Sequence, residues 1–310
     1  MSIAEITASC KTGRARGYIV DYRPQKKTRA LLDSVMAVLD EYREHWPLTC
    51  RQVFYRLVGA HAYPKTEAFY GKLCHHMANA RRGRAIRFEA IRDDGVSTIH
   101  LDHFDDEDHF RQHVRELGES YTRNKLARQL THIEVWCEAA GMVPQLAGIA
   151  EPYSVQVYSS SGFDSLTAKK TLADRICCIG KPAVILHLGD YDPSGESMFH
   201  VVAEDVAAFV ERDRLLANIG VRFKRVALTG EQVERYRLPT APPKASDSRS
   251  KAWSGETCQL EALPPDMIAD LLRTAIDAEI SPAQLAIDAR MEVVERRRVA
   301  LALPAPGATQ

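Results

Sequence analysis

Apolar positions recur at helical spacing up to about residue 95, and beyond 131 they gather into short runs that alternate with helices. Over 28–44, Leu31, Leu32, Val35, Met36, Val38 and Leu39 supply an apolar helix face, which Trp46-Pro47 ends. Thr49-Cys50-Arg51-Gln52 then fits a capping box, with Thr49 capping a second helix and Gln52 reaching back. Val53, Phe54, Leu57 and Val58 share one face of it. A third amphipathic helix is predicted over 65–81, ending in Arg81-Arg82-Gly83-Arg84. Residues 86–91 alternate well enough to predict a short strand before the turn Asp93-Asp94-Gly95. Three helices and a basic hairpin are the parts of a winged helix-turn-helix, predicted over 28–95, whose third helix usually enters the major groove.

In the second regime, strands are predicted over 132–137, 153–158, 183–188 and 222–228, separated by helices near 142–149, 164–177 and 194–213. That order predicts an α/β domain with a mostly parallel sheet and helices on both faces. A Pro/Lys/Ser-rich loop from Pro242 to Ser254 leads to helices over 264–278 and 282–300, so this domain spans 131–300, with a flexible tail over 301–310. Residues 1–27 read as a basic arm or a merely disordered terminus, and 96–130 as a linker. In that linker His100, His103, His109 and His113 stand among Asp102, Asp105, Asp106, Glu107 and Asp108. Their spacing matches no metal-ligand pattern, and a solvated acidic linker is the preferred reading.

Composition is that of an ordinary globular protein, 45% hydrophobic and 26% charged over 310 residues. No apolar stretch approaches a membrane span, and the N-terminus lacks signal architecture, so a cytoplasmic or chromosome-associated location is expected, away from membranes. The seven cysteines form no Cys-x-x-Cys pair, so neither a zinc ribbon nor a secreted disulfide framework is indicated. The net charge of zero conceals an asymmetry. Residues 1–95 hold 17 Lys+Arg against 10 Asp+Glu, leaving 24 against 31 of the 41 and 41 for the rest. That is the asymmetry expected when one domain grips phosphate and another collects cations.

The acidic half contains three candidate metal ligands. Ligand sites of open parallel sheets lie beyond the carboxyl ends of the strands. Glu138 follows the first of these strands, and Asp190 and Asp192 follow the third in Gly189-Asp190-Tyr191-Asp192-Pro193-Ser194-Gly195. If the strands are neighbours the carboxylates converge, repel one another and call for a cation. Oxygen ligands without His or Cys favour Mg2+, with Mn2+ as the alternative. A purely structural reading makes Asp190 a turn residue and Asp192 a helix cap ahead of Pro193. In the basic half, Arg51 and Tyr55 are one turn apart, away from the apolar face of the capping-box helix. A tyrosine hydroxyl there is a candidate nucleophile toward a phosphodiester, with Arg51 steadying the developing charge.

Taken in order, Arg51-Gln-Val-Phe-Tyr55, Ile133-Glu-Val-Trp-Cys-Glu138 and Gly189-Asp-Tyr-Asp-Pro-Ser-Gly195 resemble the A subunit of topoisomerase VI and the related meiotic double-strand-break transesterase. The last two segments resemble the Toprim domain of topoisomerases, primases and related nucleases. Ala139 and Ala140 stand where that family commonly has Lys after the Toprim Glu. The resemblance implies that Tyr55 attacks double-stranded DNA and stays linked to a 5′ end. It also implies a homodimer in which Tyr55 of one chain meets the metal site of the other, and a separate ATPase subunit. No Gly-x-x-x-x-Gly-Lys-(Ser/Thr) loop occurs, so ATP use would belong to another chain. The rival readings are a hydrolytic Toprim nuclease with a structural Tyr55, and a non-catalytic DNA-binding module. Ser159-Ser160-Ser161-Gly162-Phe163 as a phosphate-contacting turn, and Lys244, Arg249 and Lys251 as a basic loop, are weaker candidates.

Overall fold

The structure, a computed structural model, describes residues 18–92, 103–159, 166–243 and 253–302. The turn at 93–95, His100, Asp102, Ser160 to Phe163, Lys244, Arg249, Lys251 and most of the terminal arm and tail lie outside the described residues. The chain divides into two compact units, Met1–Arg92 and Asp93–Gln310.

In the first unit, α1 (Lys26–Glu41), α2 (Cys50–His61) and α3 (Glu67–Arg82) pack on one another around Val35, Val38, Val53, Leu57, Leu73 and Met77. The capping box forms as expected: the Thr49 hydroxyl accepts from Gln52 N at 3.1 Å, and Thr49 N donates to Gln52 Oε1 at 2.8 Å. Thr66 caps α3 by a single such bond, its hydroxyl accepting from Phe69 N. Gly83 ends α3 against Tyr22, where a Cβ would lie 2.4 Å from the ring. The segment 86–91 departs from the expected strand. Phe88–Ala90 is a 3-10 turn, and only Ile91–Arg92 (β2) is extended, pairing in parallel with Leu48–Thr49 (β1). Its buried positions are Ile86, Ala90 and Ile91, which is the spacing of a turn rather than of a strand. The hairpin of a winged helix is therefore not present among the described residues.

The second unit holds a four-stranded, all-parallel sheet in the order β4-β3-β5-β6: Gln156–Ser159, His132–Cys137, Ala183–Leu188 and Val221–Ala227. Both central strands are buried almost throughout, as parallel strands covered on both faces are. Trp136 and Ile185 point to α6 (Leu166–Ile179) and α7 (Pro193–Asp213), joining Leu172, Ile176, Val202 and Val206 in one core. Val135, Val184 and Leu186 alternate to the other side, where α5 (Val143–Ala150) packs on β4 and α9 (Pro265–Asp277) packs on α5 and β6. The chain is thus α/β, and no described helix is long and apolar enough to cross a membrane.

The structure departs from the expected elements at two further places. β4 starts at Gln156 because 151–153 is a 3-10 turn and Ser154 has a φ of 59°. The stretch read as a linker contains α4 (Glu107–Glu119), capped by Asp106 and laced by Arg111–Glu107 and Gln112–Glu116 bonds one turn apart. α4 packs on α10 (Pro282–Ala302), and the chain after it is pinned there too. The fully buried Asp288 of α10 accepts from Arg123 Nε at 2.8 Å, Arg128 at 2.6 Å and Gln284 at 2.8 Å. A highly charged sequence conceals this docking because the charges themselves make the contacts.

Candidate metal centre and candidate nucleophile

β3 and β5 are adjacent and in register, so the backbone that follows each of them emerges at the same edge of the sheet. Glu138 N donates to Leu188 O at 2.9 Å, and the Glu138 side chain crosses to the facing loop, where Oε2 accepts from Asp190 N at 2.8 Å. Asp192 caps α7, with Oδ1 accepting from Gly195 N at 2.7 Å and Pro193 at the first helical position. The structural role considered for Asp192 is therefore real. Asp190 Oδ1 accepts from Leu260 N at 2.9 Å.

The closeness of these groups is recorded by two glycines. A Cβ on Gly189 would sit 2.2 Å from Glu138 Oε2. A Cβ on Gly195 would sit 2.8 Å from the Asp190 carbonyl and 3.3 Å from both Asp192 Oδ1 and Glu138 Oε2. Sequence positions far apart thus line one small cradle that a methyl group would fill. Burial pushes the Glu138 carboxyl up to about 7; the Asp190 N–H and Arg225 act against that rise, and the charges of Asp190 and Asp192 add to it. Such a donor set of hard oxygens suits Mg2+ or Mn2+. Among the described residues, no three His, Cys, Asp or Glu side chains are set to hold an ion as they stand. The three carboxylates accept instead from the backbone N–H groups of Asp190, Leu260 and Gly195.

Sequence reasoning missed two neighbours. Arg225 of β6 sends its guanidinium to the carbonyl of Asp190 and lies 3.3 Å from Glu196. The signal was the pair Lys224-Arg225, where two charged residues in succession break the strand's alternation and one must turn inward. His187 of β5 is buried beside Phe199, and its Nδ1 has no hydrogen-bond partner. Burial first, and then Arg225, hold its pKa down to about 3, so the ring is neutral.

In the first unit, Tyr55 does not stand on an exposed helix face. It is 6% exposed, against Phe54 at 5.6 Å between ring centroids and with Lys65 Nζ 5.9 Å from its ring centroid. Arg51 is half-buried with its guanidinium 4.7 Å from the ring centroid of Tyr70, another tyrosine the sequence reading passed over. Burial and a hydrogen bond with Cys74 push the Tyr70 hydroxyl up to about 12, with Arg51 opposing. The cause is the position of α2, which packs against both α1 and α3, so that Gln52, Val53, Phe54, Tyr55 and Leu57 are all buried.

No family model, curated protein or solved structure matches this chain.

Proposed function

We propose that this chain cleaves double-stranded DNA by metal-dependent phosphodiester chemistry, with Glu138, Asp190 and Asp192 as the metal ligands and Tyr55 as the nucleophile. The observation that carries the reading is the convergence of the Glu138 and Asp192 carboxylates and the Asp190 backbone around Gly195, beyond the carboxyl ends of β3 and β5, with the Asp190 charge near enough to help raise the Glu138 carboxyl. A bound Mg2+ or Mn2+ supplies Lewis acidity at the scissile phosphate and the leaving 3′ oxygen. The Tyr55 hydroxyl forms the new bond to phosphorus and gives up its proton to solvent, while the bond from phosphorus to the 3′ oxygen breaks and that oxygen takes up a proton to leave as a free 3′ hydroxyl. Arg51 steadies the charge on the phosphate. The basic first unit supplies phosphate contacts, through Arg82, Arg84 and Arg87 among others. By the motifs quoted above, this is chemistry of the topoisomerase VI A type, carried out by a homodimer with any ATP use on another subunit.

One observation favours a second reading, hydrolysis by water in the manner of a Toprim nuclease. Tyr55 is packed in the core of its unit, and Arg51 covers Tyr70 instead. Incubation of supercoiled plasmid with the protein and Mg2+ or Mn2+, followed by denaturation with and without protease, separates the two. Metal-dependent breaks that carry protein on their 5′ ends and vanish in Tyr55→Phe support the transesterase. Protein-free breaks that persist in Tyr55→Phe sink it and support the nuclease. Breaks undiminished in Asp190→Asn remove the metal site from both.

A further inference from the structure

We propose that Arg225 is a positioning residue that holds the loop 190–195 in its metal-binding shape, acting through backbone carbonyls rather than through contact with ion or DNA. The inference rests on the metal site proposed above and adds a residue to it.

Arg225 pairs in register with His187, one strand over from the loop it holds. Its β6 neighbours Arg222 and Lys224 reach Glu279, whereas Arg225 turns the other way and its side chain is 8% exposed. There the guanidinium donates to the carbonyl of Asp190 and to that of Leu228 at 3.0 Å, with a long contact of 3.5 Å to Gly195 O. Leu228 N in turn donates to Gly189 O at 2.8 Å. Glu196 Oε1, 3.3 Å away on the first turn of α7, balances the charge. One planar fork therefore ties the Asp190 end of the loop, its Gly195 end and the end of β6 to a single point.

The loop needs such a tie. It carries Asp190 and Asp192 toward Glu138, and like charges brought together push the backbone that bears them apart. Extra irregularity sits at the same place, where β6 carries one more residue than β5 between Arg225 and Ala227. A lysine would keep the positive charge, but a compact ammonium cannot reproduce a rigid fork aimed at several carbonyls. Arg225 contacts carbonyls and Glu196, and its effect on an ion would pass through the placement of Asp190 and Asp192.

The test is a titration of the full-length chain with Mn2+ alone, free ion being read by electron paramagnetic resonance, in the parent, Glu138→Gln, Arg225→Gln and Arg225→Lys. The parent binds Mn2+ and Glu138→Gln does not. Arg225→Gln binds roughly 10- to 100-fold more weakly, the range for groups that orient metal ligands, and Arg225→Lys falls between it and the parent. Melting in EDTA checks that each variant is folded, and if Arg225→Gln fails to fold, Arg225→Lys carries the comparison. Parent-like affinity in the folded Arg225 variants overturns the positioning role and leaves the metal site standing. No binding by the parent, or undiminished binding by Glu138→Gln, overturns the metal site and this inference with it.

Discussion

Replacing Glu138 by Gln should make the metal-free protein more stable at alkaline pH, although it removes a proposed ligand. Burial, and after it the charges of Asp190 and Asp192, raise the Glu138 carboxyl from an ordinary 4.5 to about 7. The folded pKa lies above the unfolded one, so the unfolded chain gives up this proton first. Stability therefore falls as pH rises from about 4.5 to about 7, at about 1.4 kcal/mol per pH unit, and stays reduced above that. The full penalty is about 3 kcal/mol, an upper bound because Glu138 is not wholly out of solvent. Glutamine keeps an oxygen for the Asp190 N–H and presents no charge to Asp190 or Asp192. For a unit the size of the second one, about 3 kcal/mol raises the melting temperature by roughly 6–12 °C at most. The assay is thermal melting of both proteins in EDTA at pH 4, 6 and 8, then at pH 8 with Mg2+. In EDTA the variant melts higher at pH 8, and the difference vanishes at pH 4. Mg2+ at about 100 times its dissociation constant stabilises the parent by about 2.7 kcal/mol and leaves the variant unmoved, which closes most of the gap. A variant that melts at or below the parent at pH 8, or a difference that does not depend on pH, refutes the reasoning.

Gly195→Ala places a methyl 2.8 Å from the Asp190 carbonyl and between the Asp192 and Glu138 oxygens; it should cost about 1–3 kcal/mol and abolish Mn2+ binding, read by melting and titration together. Burial alone would raise the Glu134 carboxyl, but the Arg175 fork, His132 and Trp136 Nε1 outweigh it and hold it down to about 2. A depressed carboxyl contributes stability that is present above about 4.5 and lost as pH falls toward 2, so Glu134→Gln should flatten the acid limb of a denaturation series over that window. Asp288→Ala leaves Arg123 and Arg128 without their shared buried acceptor and should destabilise the second unit by about 3 kcal/mol, the low end for a broken buried pair because Arg128 is partly exposed. Urea melts test it, and a change under about 1 kcal/mol would show that α10 is held by other contacts.

The parts of this fold that were legible in the sequence are those set by neighbours in the chain. The runs 132–137 and 183–188 are rich in apolar residues, interrupted by His132 and Glu134 in the first and by His187 in the second, and both strands are found to the residue. The Thr49–Gln52 box starts its helix because both hydrogen bonds close within four residues. The parts that stayed hidden depend on distant partners. Segment 86–91 alternates in sequence, but it folds as a turn because Leu48–Thr49 pairs only with its last residue and the one after. Asp288 is an unremarked helix residue until Arg123 and Arg128, some 160 positions earlier, arrive at it. The amphipathic pattern predicts an open face for Tyr55 because it assumes one buried side, whereas α2 packs against helices on two.

That contrast ranks the two halves of the proposed chemistry. Tyr55 sits where packing accounts for it, since an aromatic ring among Phe54 and its neighbours stabilises a small three-helix unit whatever its hydroxyl does. Packing does not account for Glu138. Its carboxyl is driven to about 7 by burial and by two aspartates, in a cradle where glycines stand at positions that tolerate no side chain. A fold optimised only for stability would put glutamine or an apolar residue there. Strain of that kind calls for an offset, and a divalent cation between the carboxylates is the one their chemistry provides. The proposed metal site therefore rests on a physical cost, and the proposed nucleophile rests on the order of three motifs. An adduct assay that fails for Tyr55 would redirect the chemistry to water and leave the carboxylates where they are.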